Sequence, residues 1–263
     1  MLAIVELLSG IRSGEDEFLR RRSAMRNMSE AHVSIDWRPP EFLMVGAFER
    51  TRSVVDNARR IDDMPKKLLA MSKRAVDSNS LKDFKSRLNL ANAESVLEEI
   101  GAYDERVSKT FVTNTVKGDA YTKKVAEEIR SGVRPAPPLG KTWSLKKFSE
   151  HLARDTGLNR SITVYAVASQ VSRLLGGVVD PGEIHDTYNS TIDAFIDAFS
   201  IASIKATGNM NAPGRNDGMD FMHFFYMNPS TVLLSDDVKQ RSYAQGAGQS
   251  TVSFEEYRRL TLR

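Results

Sequence analysis

Carboxylates gather at two nearby points late in the chain. Asp217 and Asp220 lie in Asn216-Asp217-Gly218-Met219-Asp220-Phe221-Met222-His223-Phe224-Phe225-Tyr226. Asp236 and Asp237 close the run Thr231-Val232-Leu233-Leu234-Ser235-Asp236-Asp237. Acidic oxygens brought together in this way suit a hard divalent cation. The same residues also have a purely structural use. Asp236 and Asp237 can cap a following helix, and Asp217 can cap one that begins near Gly218. The residues alone leave both uses open.

The elements that must position these acids are legible around them. The stretch carrying Asp220 is an amphipathic helix opened by acids. Pro229 fixes its own φ and disfavours helix in the residue before it, so that helix should end by about Asn228. Thr231 to Leu234 is β-branched and apolar at both parities, the pattern of a strand buried on both faces. Acids that follow such a strand sit at its carboxyl edge, where open α/β sheets place their ligands. Thr251-Val252-Ser253-Phe254 reads as a last short strand, and Glu255 to Leu260 as a terminal helical turn.

A chain of 263 residues can bury a sizeable core. It contains no cysteine, which excludes disulfides and thiolate zinc sites. Its opening, Met1-Leu2-Ala3-Ile4-Val5-Glu6-Leu7-Leu8-Ser9-Gly10, is apolar but too short to span a bilayer, and it lacks the basic leader of a signal peptide. A cytoplasmic protein without a membrane segment is expected. Net charge is only +3, but its distribution is uneven. From Arg106 to Arg160 there are twelve Lys or Arg against five acids, and from Glu183 to Asp237 eight acids against two basic residues. A polyanion-binding surface beside a cation site would have this asymmetry, and so would two solvated helical faces of opposite sign.

The first helix is apolar apart from Glu6, and Gly10 is a plausible stop for it. A carboxylate in that setting must reach solvent, find a cation or carry a raised pKa. The next helix carries Phe18, Leu19, Met25 and Met28, with Arg20-Arg21-Arg22 read as a solvated face or a phosphate clamp. From about Thr51 to Gly182 the spacing is mostly helical, interrupted by the linker Arg134-Pro135-Ala136-Pro137-Pro138-Leu139-Gly140. Lys117, Lys123, Lys124, Lys141, Lys146 and Lys147 with Trp143 and Phe148 could make a basic, aromatic-bearing surface for nucleic acid, or belong to an ordinary helical subdomain. Ile184 to Ser203 reads as one helix whose buried stripe is Ile192, Phe195, Ile196 and Phe199. Asp193 and Asp197, spaced i, i+4, fall on another face that is expected to be solvated.

An acid in an apolar first helix, an Asn-Asp-x-x-Asp-x-x-His-x-x-Tyr helix and an apolar strand ending Ser-Asp-Asp together resemble the PIN-like nuclease superfamily, which includes the ribonuclease toxins of toxin–antitoxin systems. The resemblance covers roughly residues 1–50 and 205–260. It implies an α/β fold in which a small parallel sheet is flanked by helices, with residues 1–50 and 185–263 as the core and 51–184 as a large, mostly helical insertion. It also implies metal-dependent phosphodiester hydrolysis, most naturally of RNA, by an endoribonuclease using Mg or Mn. By position, Glu6, Asp220 and Asp237 match the family's second, third and last acids, with Asp217 and Asp236 as auxiliary ligands. Apart from the resemblance, Lys146 and Lys147 of the basic stretch are the candidates for substrate contact, and His223, one turn after Asp220, would orient a carboxylate or a substrate phosphate, or simply pack. A cognate inhibitor protein is a possible partner.

The sequence departs from the pattern at its start. The family's first acid ends an N-terminal strand, and no such strand precedes Met1, so activity is expected only if that acid is supplied upstream. The alternative is a catalytically impaired PIN-like or helical module that binds nucleic acid or protein and turns nothing over.

Overall fold

The computed structural model describes residues 2–30, 36, 38–58, 64–106, 127–133, 144, 147, 156–209 and 217–261. Over these residues the chain is mostly helical and carries one small parallel sheet, α/β in the broad sense. The early helices are α1 (Leu2–Ser9), α2 (Glu15–Glu30), α3 (Pro40–Gly46), α4 (Glu49–Ala58), α5 (Met64–Val76), α6 (Leu81–Leu90) and α7 (94–106). Later come α8 (Thr156–Leu174), α9 (Pro181–His185), α10 (Asp193–Asn209), α11 (Asp217–Met222) and a 3-10 turn over His223–Tyr226. Strand β1 (Val232–Leu234), α12 (Val238–Gly246), β2 (Ser250–Val252) and α13 (Phe254–Thr261) complete the order. Among the described residues no helix is long and apolar enough to cross a membrane.

Two compact units divide the chain. One is Met1–Pro39 with Asp56–Ser108, the other Pro40–Val55 with Lys109–Arg263. This differs from the expected division into 1–50 plus 185–263 and 51–184. The reason is packing: α1 and α2 close their apolar faces on α5 and α6, so the chain's start shares a core with part of the stretch read as an insertion.

In the first unit Ile4, Val5 and Leu8 of α1 are buried, as are Phe18, Met25, Leu68, Met71, Phe84, Leu88 and Ile100. The Phe18 and Phe84 rings stand 5.6 Å apart. Each such side chain contributes about 1.5–3 kcal/mol by leaving water. The arginine triplet divides: Arg20 is exposed, whereas Arg21 and Arg22 are half-buried and donate to backbone carbonyls. Arg21 donates to the carbonyls of Glu6 and Leu7, where the last turn of α1 has no helical donors to offer. Arg22 and Arg26 donate to Val76 O at the end of α5 (3.2 and 3.3 Å), and Arg20 pairs with Glu17. Gly10 lies against the Arg21 guanidinium, the movable end of a long side chain. A Cβ there would come within 2.5 Å of the Arg21 guanidinium carbon.

In the second unit Val164, Val167, Ala168 and Val171 of α8 pack with Phe48, Ile184, Ile192, Phe195, Ile196, Phe221, Phe224 and Phe225. The rings of Phe195 and Phe225 stack at 3.8 Å between centroids. The helix expected over Ile184–Ser203 is broken in two. Ser190 takes a positive φ of 65°, and Tyr188 forms an isolated antiparallel bridge with Phe48 instead of a helical turn. Asn189 reinforces the break by donating to Gly46 O at 3.0 Å.

Strands β1 and β2 pair in parallel with Val232 opposite Ser250 and Leu234 opposite Val252, joined by α12 in a β-α-β crossover. The expectation that β1 is buried on both faces is corrected. Val232 is 55% and Leu234 37% exposed, because the sheet has only two strands among the described residues and only the Leu233 face packs inward. The terminal turn expected after Glu255 is a full helix, α13. Ser253 and Glu256 open it with a reciprocal capping box: Glu256 N–H donates to Ser253 Oγ and Ser253 N–H to Glu256 Oε2.

Candidate functional site

Asp236 and Asp237 lie in the crossover, and Asp220 lies on the helix that precedes β1. Strand β1 ends at Leu234, and Asp237 follows as the N-cap of α12, its Oδ1 accepting the Gln240 N–H at 2.8 Å. Gln240 is nearly buried, and its side-chain amide donates to Asp220 O at 3.2 Å. One glutamine therefore ties α11, which bears Asp220, to the first turn of α12, which bears the Asp237 cap. Asp220 and Asp237 line one small, shallow recess, with room for about one water molecule, together with Lys239, Gln240 and Tyr243, and buried Phe221 and Phe224 form its floor. The Phe221 ring packs 5.0 Å from that of Tyr243 and 5.7 Å from that of Phe224, which holds the floor in place.

The cap uses one oxygen of Asp237, and an ionised carboxylate has a second to offer. The donor set has the right chemistry for a hard cation. Mg²⁺ is commonly held by one or two carboxylates, the rest of its shell being water and substrate phosphate. Among the described residues, however, no three His, Asp or Glu side chains stand close enough to share one ion.

The remaining expected residues are placed as follows. Asp236 is exposed and accepts the Phe254 N–H at 2.9 Å, so it braces the start of α13. Asp217 begins α11. His223 opens the 3-10 turn, half-buried, and is not among the residues that line the recess. Glu6 is half-buried on α1 and belongs to the first compact unit, whereas Asp220 and Asp237 belong to the second. Lys147 is exposed, its N–H donating to Ser144 Oγ at 3.2 Å, and Lys146 lies outside the described residues. Lys117, Lys123, Lys124, Lys141, Trp143 and Phe148 also lie outside them.

Lys239, Gln240 and Tyr243 of the recess were not singled out by the sequence pattern. The available signal was helical spacing from the Asp237 cap. Gln240 is the residue whose N–H an N-cap side chain takes, and Tyr243 lies one turn further along the same side.

Asp193 and Asp197, expected on a solvated face, are not left to water. Arg160 of α8 forks between them, with Nη1 2.6 Å from Asp197 Oδ1 and Nη2 on Asp193 Oδ1. Tyr188 also donates to Asp193 Oδ1 at 2.7 Å. Burial raises the Asp197 carboxyl above its ordinary 3.8 although Arg160 pulls it down. Burial and the bond to Asp193 push the Tyr188 phenol well up. This is an α8–α10 clamp.

The sequence matches no protein-family model, and no curated protein or solved structure is detectably similar to it.

Proposed function

We propose that the chain hydrolyses phosphodiesters, with RNA as the substrate class, at the recess between Asp220 and Asp237 and with Mg or Mn as cofactor. The observation that carries this reading is that two aspartates from separate helices line one recess just beyond the carboxyl end of a parallel strand. Such an edge is where open α/β sheets bind their ligands. Asp220 and Asp237 would hold the ion, and Lys239 brings an ammonium to the same rim for a phosphate oxygen. A bound Mg²⁺ or Mn²⁺ supplies Lewis-acid polarisation of the phosphoryl group. The part of the PIN-like resemblance that assigns Glu6 to the ion rests on the resemblance alone. Lys146 and Lys147 enter from the basic, aromatic-bearing stretch, Asp217 and Asp236 from the clustering of acids around the strand, and His223 from its place one turn after Asp220.

A second reading draws on the hydrogen bonds of the acid pair. Both Asp236 and Asp237 accept backbone N–H groups at helix starts, which is sufficient reason for their presence in a module that binds RNA or protein without turnover.

Cleavage of a fluorescent single-stranded RNA in Mn²⁺, against an EDTA control, separates the two. Hydrolysis that Asp220→Asn abolishes supports the enzyme. RNA retention that falls with salt, without metal dependence and without product, supports the binding module.

A further inference from the structure

Helices α8 and α9 pack closely and bring three side chains into a relay that no part of the proposed phosphodiester site uses. Ser161 Oγ lies 3.3 Å from His185 Nε2, and His185 Nδ1 lies 2.9 Å from Asp186 Oδ1. The order hydroxyl, imidazole, carboxylate is that of an activated serine nucleophile. Asp186 Oδ1 can only accept, so His185 Nδ1–H is the donor to it, and that tautomer leaves the Nε2 lone pair facing the serine hydroxyl.

Ser161 differs from its neighbours in a way that bears on this. Helical hydroxyls ordinarily fold back on the carbonyl one turn earlier. Thr163 does so onto Asn159 O at 3.0 Å and Ser169 onto Tyr165 O at 2.9 Å, in the same helix. The Ser161 hydroxyl meets the imidazole instead. Ser161 and Asp186 are exposed, and His185 is half-buried with the Tyr165 ring 6.0 Å from its own. Tyr165 is 50% and Ile162 43% exposed, so an aromatic and an aliphatic side chain flank the serine with apolar surface.

We infer that Ser161 is a nucleophile toward carboxylic esters with a small aromatic or aliphatic group, activated by His185 and oriented by Asp186. In the first step the Ser161 Oγ–H proton passes to His185 Nε2 as Oγ bonds to the acyl carbon. The ester C–O bond breaks, and the leaving alkoxide takes the proton from Nε2 and departs as the alcohol. Water then attacks the acyl-serine, giving a proton to Nε2. Ser161 leaves the acyl carbon and recovers that proton, and a carboxylic acid is released. No oxidant, reductant or metal is consumed or needed.

The test is labelling of the full chain by a fluorophosphonate probe in EDTA, with the adduct mapped by mass spectrometry, together with hydrolysis of p-nitrophenyl acetate. The adduct is expected on Ser161. Ser161→Ala should abolish both signals, and His185→Gln should slow labelling on the order of 10²-fold, the usual worth of a positioned general base. Asp186→Asn should fall between His185→Gln and the parent. Circular dichroism of each variant confirms that it is folded. An adduct on other residues only, no adduct, or an equal labelling rate in His185→Gln overturns the assignment. Because EDTA is present throughout, neither outcome depends on the metal-binding recess.

Discussion

Asp237 has an observed role as a cap and a proposed one in catalysis, which a pair of substitutions can separate. Its carboxylate caps α12 through the Gln240 N–H at 2.8 Å, and the same side chain lines the recess with Asp220. Alanine removes the cap, and losing an Asp cap costs about 1 kcal/mol. Asparagine caps as well as aspartate, so Asp237→Asn loses only the charge–dipole contribution at the helix start, about 0.3 kcal/mol for an exposed group. For a unit of this size about 1 kcal/mol corresponds to roughly 2–4 °C in melting temperature. Thermal and urea unfolding should therefore place Asp237→Ala a few degrees below the parent and Asp237→Asn within about one degree of it. RNA cleavage in Mn²⁺ should vanish in both, since neither side chain supplies a carboxylate. Equal stability of Asp237→Ala and the parent would refute the capping role. Undiminished cleavage by Asp237→Asn would refute the catalytic one.

Other perturbations read other parts of the fold. Arg160→Met leaves Asp193 and Asp197 facing each other without their cation. The three side chains are about one-third exposed, so the loss should lie between that of a surface pair and a buried one, about 1–2 kcal/mol in urea unfolding. Adding Asp197→Asn to that variant should recover part of it. The Glu256 carboxyl is held below its ordinary 4.5 by the Ser253 N–H and hydroxyl. A lowered folded pKa contributes stability that is present above 4.5 and lost as pH falls through the folded value. The protection of amides at the start of α13, measured against their intrinsic exchange rates at each pH, should therefore fall below about pH 4.5 in the parent, and Glu256→Gln should flatten that response.

The sequence made local features legible and left the long-range ones hidden. Pro229 disfavours helix just beyond the aromatic turn, which stops at Tyr226, and Gly10 lies just past the first helix, which ends at Ser9. The proximity of Asp220 and Asp237 to one recess was foreseeable from a helix leading into a strand. The burial of that strand was not. Val232 and Leu234 have the composition of an interior strand, but a pair of three-residue strands cannot cover both faces. The arginine triplet illustrates the same limit. Arg22 finds its acceptor at Val76, far along the chain, and no local pattern announces that pairing. Asp193 and Asp197 could be placed on one helical face, yet their partner Arg160 comes from another helix. The Ser161, His185 and Asp186 relay was missed for a related reason: only the packing of α8 on α9 brings the hydroxyl to the imidazole.

The most direct test of the proposed cation binding at the recess is a Mn²⁺ titration of the full chain, followed by the loss of free-ion electron paramagnetic resonance signal. The prediction is one saturable ion whose affinity drops by at least about tenfold in Asp220→Asn and in Asp237→Asn, since even indirect partners of a metal site are worth that much. Unchanged affinity in both variants, or no saturable ion in the parent, would contradict it.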